Sequence, residues 1–504
     1  MFIRRVKSKK AKTYVQVVDK SSGRYKVIKS FGGAPTEPEV LELERQAQSW
    51  MEQHRGLREL DFEATEHRAE EFLDSIEQIR QVGYDYLLGG LFDEIGFGKV
   101  KDEMFRQLVI SRIAYPRSKL KTTEYLYRYK QIDWSEDQLY RYLDKLYNSQ
   151  KELVQQISVE HTRKILGTEI QVVFYDVTTV YFEIDQEDEL RKTGFSKDGK
   201  HQSPQIVLGL LVSKKGYPLA YDLFEGNKFE GHTMLPVIEA FRRKYDLGQF
   251  TVIADSGLLS AANIQELQHK GYEFIIGARI KNESEALRKQ ILALELGHGQ
   301  SVLLRRGDLK LIISYSEDRA RKDRYNREKG LRKLEKQIRT GRLTKSNINN
   351  RGYNKFLKLE GQISLSIDKE KLLEDERWDG LKGYLTNAKL NKDQIIENYQ
   401  HLWNIEKAFR IAKSELRIRP IYHRLPRRIE AHICINFVAY KVYKELERQL
   451  DEMKAEISPG KAIEIAASIY ELQMKVPGSE NSIQKVLLLT DEQKYLASLF
   501  RFGC

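Results

Sequence analysis

Three acidic residues stand in places where the sequence otherwise predicts buried structure. Asp176 lies inside the stretch 171–182, which is rich in β-branched and aromatic residues and is typical of a strand buried on both faces. Asp255 ends the short apolar stretch 250–255, and Glu406 interrupts the apolar stripe of a predicted helix. Because an unpartnered buried acid is costly, each needs a cation, a hydrogen-bond network or a catalytic role.

The chemistry that three such acids support together is metal-dependent. A single buried Asp is most simply explained by satisfied hydrogen bonds, but three acids brought together repel one another unless a cation neutralises them. Carboxylates without neighbouring His or Cys suit hard cations such as Mg²⁺ or Mn²⁺. Two ions about 4 Å apart would bracket a scissile phosphate, so we predict cleavage or joining of a nucleic-acid backbone.

The predicted helix over 392–416 carries the third acid and several basic residues. Tyr399, Glu406 and Lys413 follow one another at intervals of seven residues, so one continuous helix would place them on one face, directed at the protein. Arg410 and Lys413, one and two turns beyond Glu406, are candidates for holding phosphates.

Composition is compatible with this chemistry. The 504 residues carry a formal net charge of +12 and a pI near 9.2, which favours a polyanionic partner such as DNA. Two cysteines, Cys434 and Cys504, form no CxxC pair, which indicates a reducing compartment. No apolar run is long enough to span a bilayer and no signal peptide is evident, so we expect a cytoplasmic protein without a membrane partner.

The elements that must position the acids form a multidomain α/β chain. The order β-β-β-α-β-α-β from residue 166 predicts a mixed sheet flanked by helices. We divide the chain into an N-terminal β element (1–35), a helical DNA-binding region (36–165), a first part of the catalytic core (166–281), an insertion domain (282–377), a second part of the core (378–455) and a C-terminal helical tail (456–504).

These residues carry a resemblance to the DDE transposases of bacterial insertion sequences, which have a ribonuclease-H-like catalytic domain. The segments 175–179 and 252–257 resemble the family's first-Asp and second-Asp strands, and 194–199 with 205–211 resembles the segment between them. The third family motif is Tyr, two residues, Arg, three residues, Glu, six residues, Lys. Tyr399, Glu406 and Lys413 fit its spacing, whereas Leu402 stands at the Arg position, where Lys407 or Arg410 is the expected substitute.

The resemblance implies a function and its site. Asp176, Asp255 and Glu406 would be catalytic and would hold Mg²⁺ or Mn²⁺, with two ions per active site. Tyr399, Lys407, Arg410 and Lys413 would contact DNA. The partners would be the terminal inverted repeats of the element and target DNA, bound by a homodimer or a larger synaptic complex in the bacterial cytoplasm at the nucleoid. The resemblance also implies that 282–377 is a β-rich insertion before the catalytic Glu.

The sequence leaves two other functions open. The first is a catalytically inactive or repurposed DNA-binding protein on the same scaffold. The second is a metal-dependent nuclease without strand transfer. The presence of all three acids argues against loss of catalysis.

Overall fold

A computed structural model describes most of the chain. The described residues are 1–8, 12–21, 23–55, 70–167, 170–184, 186–196, 199–200, 202–228, 232–245, 247–258, 260–340, 342–343, 349, 352–360, 364–475 and 481–502. Cys504 and residues 197–198 of the segment 194–199 lie outside them. No helix among the described residues is long and apolar enough to cross a membrane.

The contacts divide the chain into two compact units. The first unit contains residues 1–79 and 472–485, and the second contains residues 80–471 and 486–504. In the first unit a three-stranded sheet packs against the helix Glu37–Arg55. Val15 and Val17 of the sheet and Val40 and Ala47 of the helix form this core. The candidate site lies wholly in the second unit. The six functional segments expected from the sequence remain a prediction.

Sixteen strands are present among the described residues. In chain order they are β1 Phe2–Lys7, β2 Thr13–Asp19, β3 Lys26–Ala34, β4 Ile76–Gln81, β5 Val172–Tyr181, β6 Gln205–Ser213, β7 Pro218–Glu225, β8 Thr251–Ala254, β9 Glu273–Ala278, β10 Ser301–Arg306, β11 Leu309–Tyr315, β12 Leu357–Glu360, β13 Ser364–Ile367, β14 Leu381–Thr386, β15 Tyr470–Lys475 and β16 Ser482–Leu487.

Helices connect and flank these strands. In chain order the α-helices of the described residues are α1 Glu37–Arg55, α2 Gly90–Ile95, α3 Glu103–Ala114, α4 Lys119–Lys130, α5 Glu136–Ser149, α6 Lys151–Leu166, α7 Met234–Tyr245, α8 Ala261–His269, α9 Glu285–Leu292, α10 Glu317–Arg339, α11 Lys369–Glu376, α12 Lys392–Gln400, α13 Trp403–Ser414, α14 Pro426–Glu452, α15 Pro459–Ala467 and α16 Asp491–Phe500.

The central sheet is mixed, as its sequence pattern predicts. The described strands form an eight-stranded sheet in the order β10-β11-β14-β9-β8-β5-β6-β7. Strands β5, β6 and β7 pair antiparallel, while β8 and β9 run parallel to β5. Gly216, in the left-handed region at φ 82°, makes the turn that joins β6 to β7. A mixed α/β fold with a large mixed sheet, as expected of the fold class, is therefore confirmed.

Alternation along β5 decides which way Asp176 faces. Val173, Tyr175 and Val177 belong to the core that contains Phe241 of α7, whereas Phe174 and Val180 belong to the core shared with α13 and α14. Because side chains alternate between the faces of a strand, Asp176 points to the face of Phe174. That face is the one covered by α13, which carries Glu406.

Four elements differ from the sequence predictions. Strand β4 lies inside the segment 36–165, which is predicted to be helical. Strands β10 and β11, predicted within the insertion, extend the central sheet, because β11 pairs with β14 of the core. The segment 456–504, predicted to be a helical tail, contains β15 and β16 beside its helices. The predicted helix over 392–416 is two helices, α12 and α13.

Candidate active site

Asp176 and Asp255 come from neighbouring parallel strands. The register pairs Tyr175 with Ala254, so the next residues, Asp176 and Asp255, lie side by side where β8 ends. Each carboxylate accepts a 2.7 Å hydrogen bond from the amide of the residue that follows it. Asp176 is half-buried and Asp255 is exposed. Acids at the carboxyl end of parallel strands face the crevice where α/β proteins bind ligands.

Tyr399 on α12 packs directly against this pair. Its buried hydroxyl donates a hydrogen bond of 3.3 Å to Asp255 Oδ1. Gly277 on β9 makes room for it, because a Cβ there would come within 3.0 Å of the hydroxyl oxygen. Burial raises the pKa of Tyr399, and the charges of Asp255 and Glu406 raise it further, so the phenol stays protonated.

The interruption between α12 and α13 changes where Glu406 points. His401, Leu402, Asn404 and Ile405 each donate their amide to the carbonyl three residues earlier, which is 3₁₀ geometry. A 3₁₀ turn advances 120° per residue instead of 100°, so about four such residues rotate α13 by roughly 80° relative to a continuous helix. Tyr399 is therefore buried while Glu406 is exposed. The prediction that both share an inward face is wrong.

Glu406 nevertheless shares a cleft with Asp255. The cleft has a volume of about 890 Å³, and its wall also includes Tyr399, Lys382 and residues from the segment 282–377. Glu406 therefore faces a space large enough for a substrate rather than open surface.

Several charged side chains of the cleft wall pair with one another. Arg327 and Asp379 form a double hydrogen bond of 2.6 Å each. Asp375 pairs with both Lys281 and Lys355 at 2.7 Å. Asp255 and Glu406 take no part in these ion pairs among the described residues, so their charges remain available to a ligand.

Lys382 is a site residue that the sequence analysis did not identify. It lies on β14, with its ammonium 4.5 Å from the centre of the Tyr399 ring. Burial lowers its pKa, Arg319 adds to that shift, and the charges of Asp255 and Glu406 oppose it. Lys382 thus lies within electrostatic reach of both acids. The signal that could have found it is a lysine two residues before Tyr384, inside a strand of otherwise buried residues.

The predicted DNA-binding residues occupy different surroundings. Lys407 forms an ion pair with Glu447 of α14, which Lys444 also contacts, and this directs it away from the cleft. Arg410 is exposed and Lys413 is half-buried.

Leu402, which stands where the family motif has Arg, is buried in the hydrophobic core. Lys382 lines the cleft together with Asp255 and Glu406, whereas Lys407 and Arg410 do not.

The acids fit a divalent metal in type, and the strand register makes the two aspartates neighbours. Adjacent carboxylates with hard oxygen donors suit Mg²⁺ or Mn²⁺. However, among the described residues no group of three or more His, Cys, Asp or Glu side chains is placed to hold a metal ion. Glu406 therefore lines the same cleft without completing a three-ligand cluster in this conformation.

Solved structures that match the chain include transposases at low similarity. A structure of the piggyBac transposase synaptic complex with hairpin DNA shares 10% identity, covers 76% of each chain and has a TM-score of 0.39. The Mos1 mariner paired end complex with Mn shares 12% identity, covers 31% of this chain and 54% of the other, and has a TM-score of 0.15. Neither likeness is strong enough to support a further argument.

The sequence itself is more informative. No curated protein matches the chain. The family model of the transposase DDE domain matches residues 167–441, more than half of the chain, and this range holds all three acids, the cleft and the central sheet. The chain therefore belongs to the DDE transposase family.

Proposed function

We propose that this transposase cleaves DNA at the ends of a mobile element and joins the freed 3′-OH ends to target DNA. Asp176, Asp255 and Glu406 are its catalytic acids. The observation that carries the proposal is the strand register that sets Asp176 beside Asp255, at the edge of the cleft that Glu406 lines.

Asp176 and Asp255 would hold the divalent ions, and Glu406 would join them from α13. When bound, Mg²⁺ or Mn²⁺ would lower the pKa of the attacking hydroxyl group and neutralise charge on the phosphate. Tyr399 orients Asp255 through its hydrogen bond, and Lys382 supplies positive charge beside both acids.

The proposed reaction has two steps, hydrolysis of a phosphodiester bond and joining of the freed end to target DNA. In the first, a water oxygen forms a bond to phosphorus, the bond from phosphorus to the 3′ oxygen breaks, and that oxygen takes up a proton. In the second, the 3′ oxygen bonds to a target phosphorus while the target's own 3′ oxygen leaves as a hydroxyl. One phosphodiester bond replaces another, so the joining step needs no external energy source.

The wider assignments follow from the same proposal. The DNA partners are terminal inverted repeats and target DNA, contacted by Tyr399, Arg410 and Lys413. The active form is a homodimer or a larger synaptic complex in the bacterial cytoplasm at the nucleoid. Light scattering of the protein with and without DNA that carries the inverted repeats flanking the gene tests the assembly.

The catalytic assignment is tested with a matched pair of variants. Asp176→Asn is expected to abolish Mg²⁺-dependent cleavage of end-bearing DNA while leaving DNA binding largely intact. Asp222→Asn is the control, because Asp222 is a half-buried strand residue with the same kind of amide contact, at 2.9 Å to Leu223. Mn²⁺ binding followed by electron paramagnetic resonance should be lost in the first variant only. Full cleavage by Asp176→Asn would refute the assignment.

A second candidate is a DNA-binding protein without catalysis. It is favoured by the lack of a three-ligand cluster among the described residues. Incubating precut 3′-OH ends with a target plasmid separates the possibilities. Joined products support the transposase, cleavage without joining indicates a nuclease, and binding without either indicates the inactive protein.

A further inference from the structure

A second cavity in the larger unit is lined mainly by cationic and aromatic side chains. It has a volume of about 490 Å³ and lies between the loop that joins α3 to α4 and the segment between α13 and α14. Arg112 and Lys119 form its floor and are only 5% and 6% exposed. Arg117, Arg417 and Arg419 also line it. Tyr422, 68% exposed, marks where the cavity reaches the surface.

In the part of the chain that the structure describes, neither floor cation forms an ion pair with a carboxylate. Among the described residues, Arg112 Nε has no hydrogen-bond partner. Burial lowers the pKa of Arg112 to about 10, and no carboxylate offsets that effect. Burial also lowers the pKa of Lys119, and the neighbouring Arg112 lowers it further. Unpaired cations this deeply buried are costly, which indicates that a ligand supplies the missing negative charge.

The remaining lining suits an anion. His423 and His432 are neutral near pH 7, because burial and the charges of Lys119 and Arg112 lower the pKa of both rings, that of His423 to about 3. Neutral imidazoles offer hydrogen bonds without opposing charge. The one acid of the lining, Glu136, accepts a 2.8 Å hydrogen bond from Tyr140.

The amino end of α4 adds positive charge. Ser118 caps this helix by accepting a hydrogen bond from the Lys121 amide, and Ser118 and Lys119 both line the cavity. A helix start of this kind favours an anion.

The cavity is also within reach of a duplex bound at the acids. Arg419 at its rim lies with its guanidinium 5.6 Å from the ring centre of Tyr181, and Lys200 approaches the same ring at 5.5 Å. Tyr181 is five residues beyond Asp176 on β5, or roughly 17 Å at about 3.3 Å per residue. That is about half a turn of duplex DNA.

We propose that this cavity binds a phosphate group of the DNA backbone, with Arg112 and Lys119 as its counter-charges. The identification of DNA as the source of the phosphate rests on the proposed function, whereas the anion site does not. The site would anchor the DNA away from the scissile phosphate, through contacts that do not depend on sequence.

The test compares Arg112→Met/Lys119→Met with Arg128→Met in the full-length protein. Arg128 is an exposed residue of α4, the helix that carries Lys119, so it controls for the loss of one positive charge. Binding of a 40-base-pair duplex is measured by fluorescence anisotropy in EDTA from 50 to 200 mM salt. Because catalysis is excluded, failure here is distinguishable from failure of the proposed function.

For one lost phosphate contact, the slope of log affinity against log salt should fall by about 0.9. The ratio of the affinities at 50 and 200 mM salt then drops about 3.5-fold. Arg128→Met should leave the slope unchanged. An equal change in both variants, or none in the double variant, would overturn the proposal.

Two further measurements distinguish loss of the proposed contact from misfolding, and a DNA phosphate from a free anion. Lys119→Gln keeps a polar side chain and should give a smaller loss of the same kind. The melting temperature of the wild type should rise when 10 mM inorganic phosphate is added, and that of the double variant should not change. A response to phosphate combined with an unchanged DNA slope would overturn the DNA assignment and indicate a free-anion site. No response to phosphate and no slope change would refute the anion site itself.

Discussion

Gly277 and Tyr399 form a contact that links the central sheet to the candidate catalytic acid. We predict that Gly277→Ala is destabilising only while the Tyr399 hydroxyl is present. An ideal Cβ at Gly277 would lie less than 3.0 Å from that hydroxyl oxygen, and the next neighbours, Tyr399 Cζ and the Ser256 amide nitrogen, are 3.3 and 3.4 Å away. The oxygen must therefore move, which breaks its 3.3 Å hydrogen bond to Asp255.

The magnitudes follow from these distances. Overpacking of this kind costs about 1–3 kcal/mol. Tyr399→Phe removes one long hydrogen bond to a carboxylate, worth about 1 kcal/mol. In the Phe background the close oxygen is gone and only contacts of 3.3 Å or more remain, so adding Ala should cost less than about 0.5 kcal/mol. The two substitutions should therefore couple by about 1–2 kcal/mol.

Urea denaturation of the four proteins followed by circular dichroism measures the coupling. The loss of chain entropy that Ala brings to the unfolded state is the same in both backgrounds and cancels. Cleavage should fall in Gly277→Ala, because Tyr399 no longer orients Asp255. If the two costs add within about 0.3 kcal/mol, the hydroxyl is not the obstacle and the reasoning is refuted.

Three other perturbations have defined outcomes. Burial lowers the pKa of His161 to about 4; the charge of Lys441 adds to this effect and that of Glu445 opposes it. Between pH 6.5 and 4 the unfolded chain therefore binds a proton at His161 that the folded chain does not. The free energy of unfolding falls as the pH falls through this range. His161→Gln should flatten that slope by up to about 1.4 kcal/mol per pH unit in denaturation series, and an unchanged slope would contradict it. Arg327→Met leaves Asp379 without its double hydrogen bond and should cost about 3–5 kcal/mol of unfolding free energy, whereas Arg321→Met, at an exposed pair, should cost less than about 1 kcal/mol. Replacing the exposed Lys322, Arg324 and Lys329 of α10 by Gln should lower the slope of log DNA affinity against log salt without changing the melting temperature. Unchanged affinity would show that α10 is not part of the DNA interface.

Point changes in α10 test a DNA role of the segment 282–377 more sharply than its deletion would. Deletion removes β10 and β11 and leaves β14 as an unpaired edge strand of the central sheet. Loss of DNA affinity would then report a damaged sheet as readily as a lost interface.

Local sequence was sufficient to specify the strands of the core and the two aspartates. Unbroken runs of β-branched and aromatic residues specify strands buried on both faces, so β5 to β9 could be predicted close to their observed bounds. An acid inside or directly after such a run is visible without coordinates, because burial makes it improbable there. The family motifs then related Asp176, Asp255 and Glu406 to one reaction.

The orientation of Glu406 and the identity of the basic residues around it depend on tertiary packing. The 3₁₀ turn between α12 and α13 depends on packing of both helices. A helical period extended from α12 across this turn therefore assigns the residues of α13 to the wrong face. Lys382 reaches the acids only because β14 pairs with β9, a contact between segments about a hundred residues apart. The cation pocket of Arg112 and Lys119 likewise exists only where α3 and α4 meet the segment after α13. Such long-range pairings carry no local signal, because they depend on which distant side chains meet in the fold.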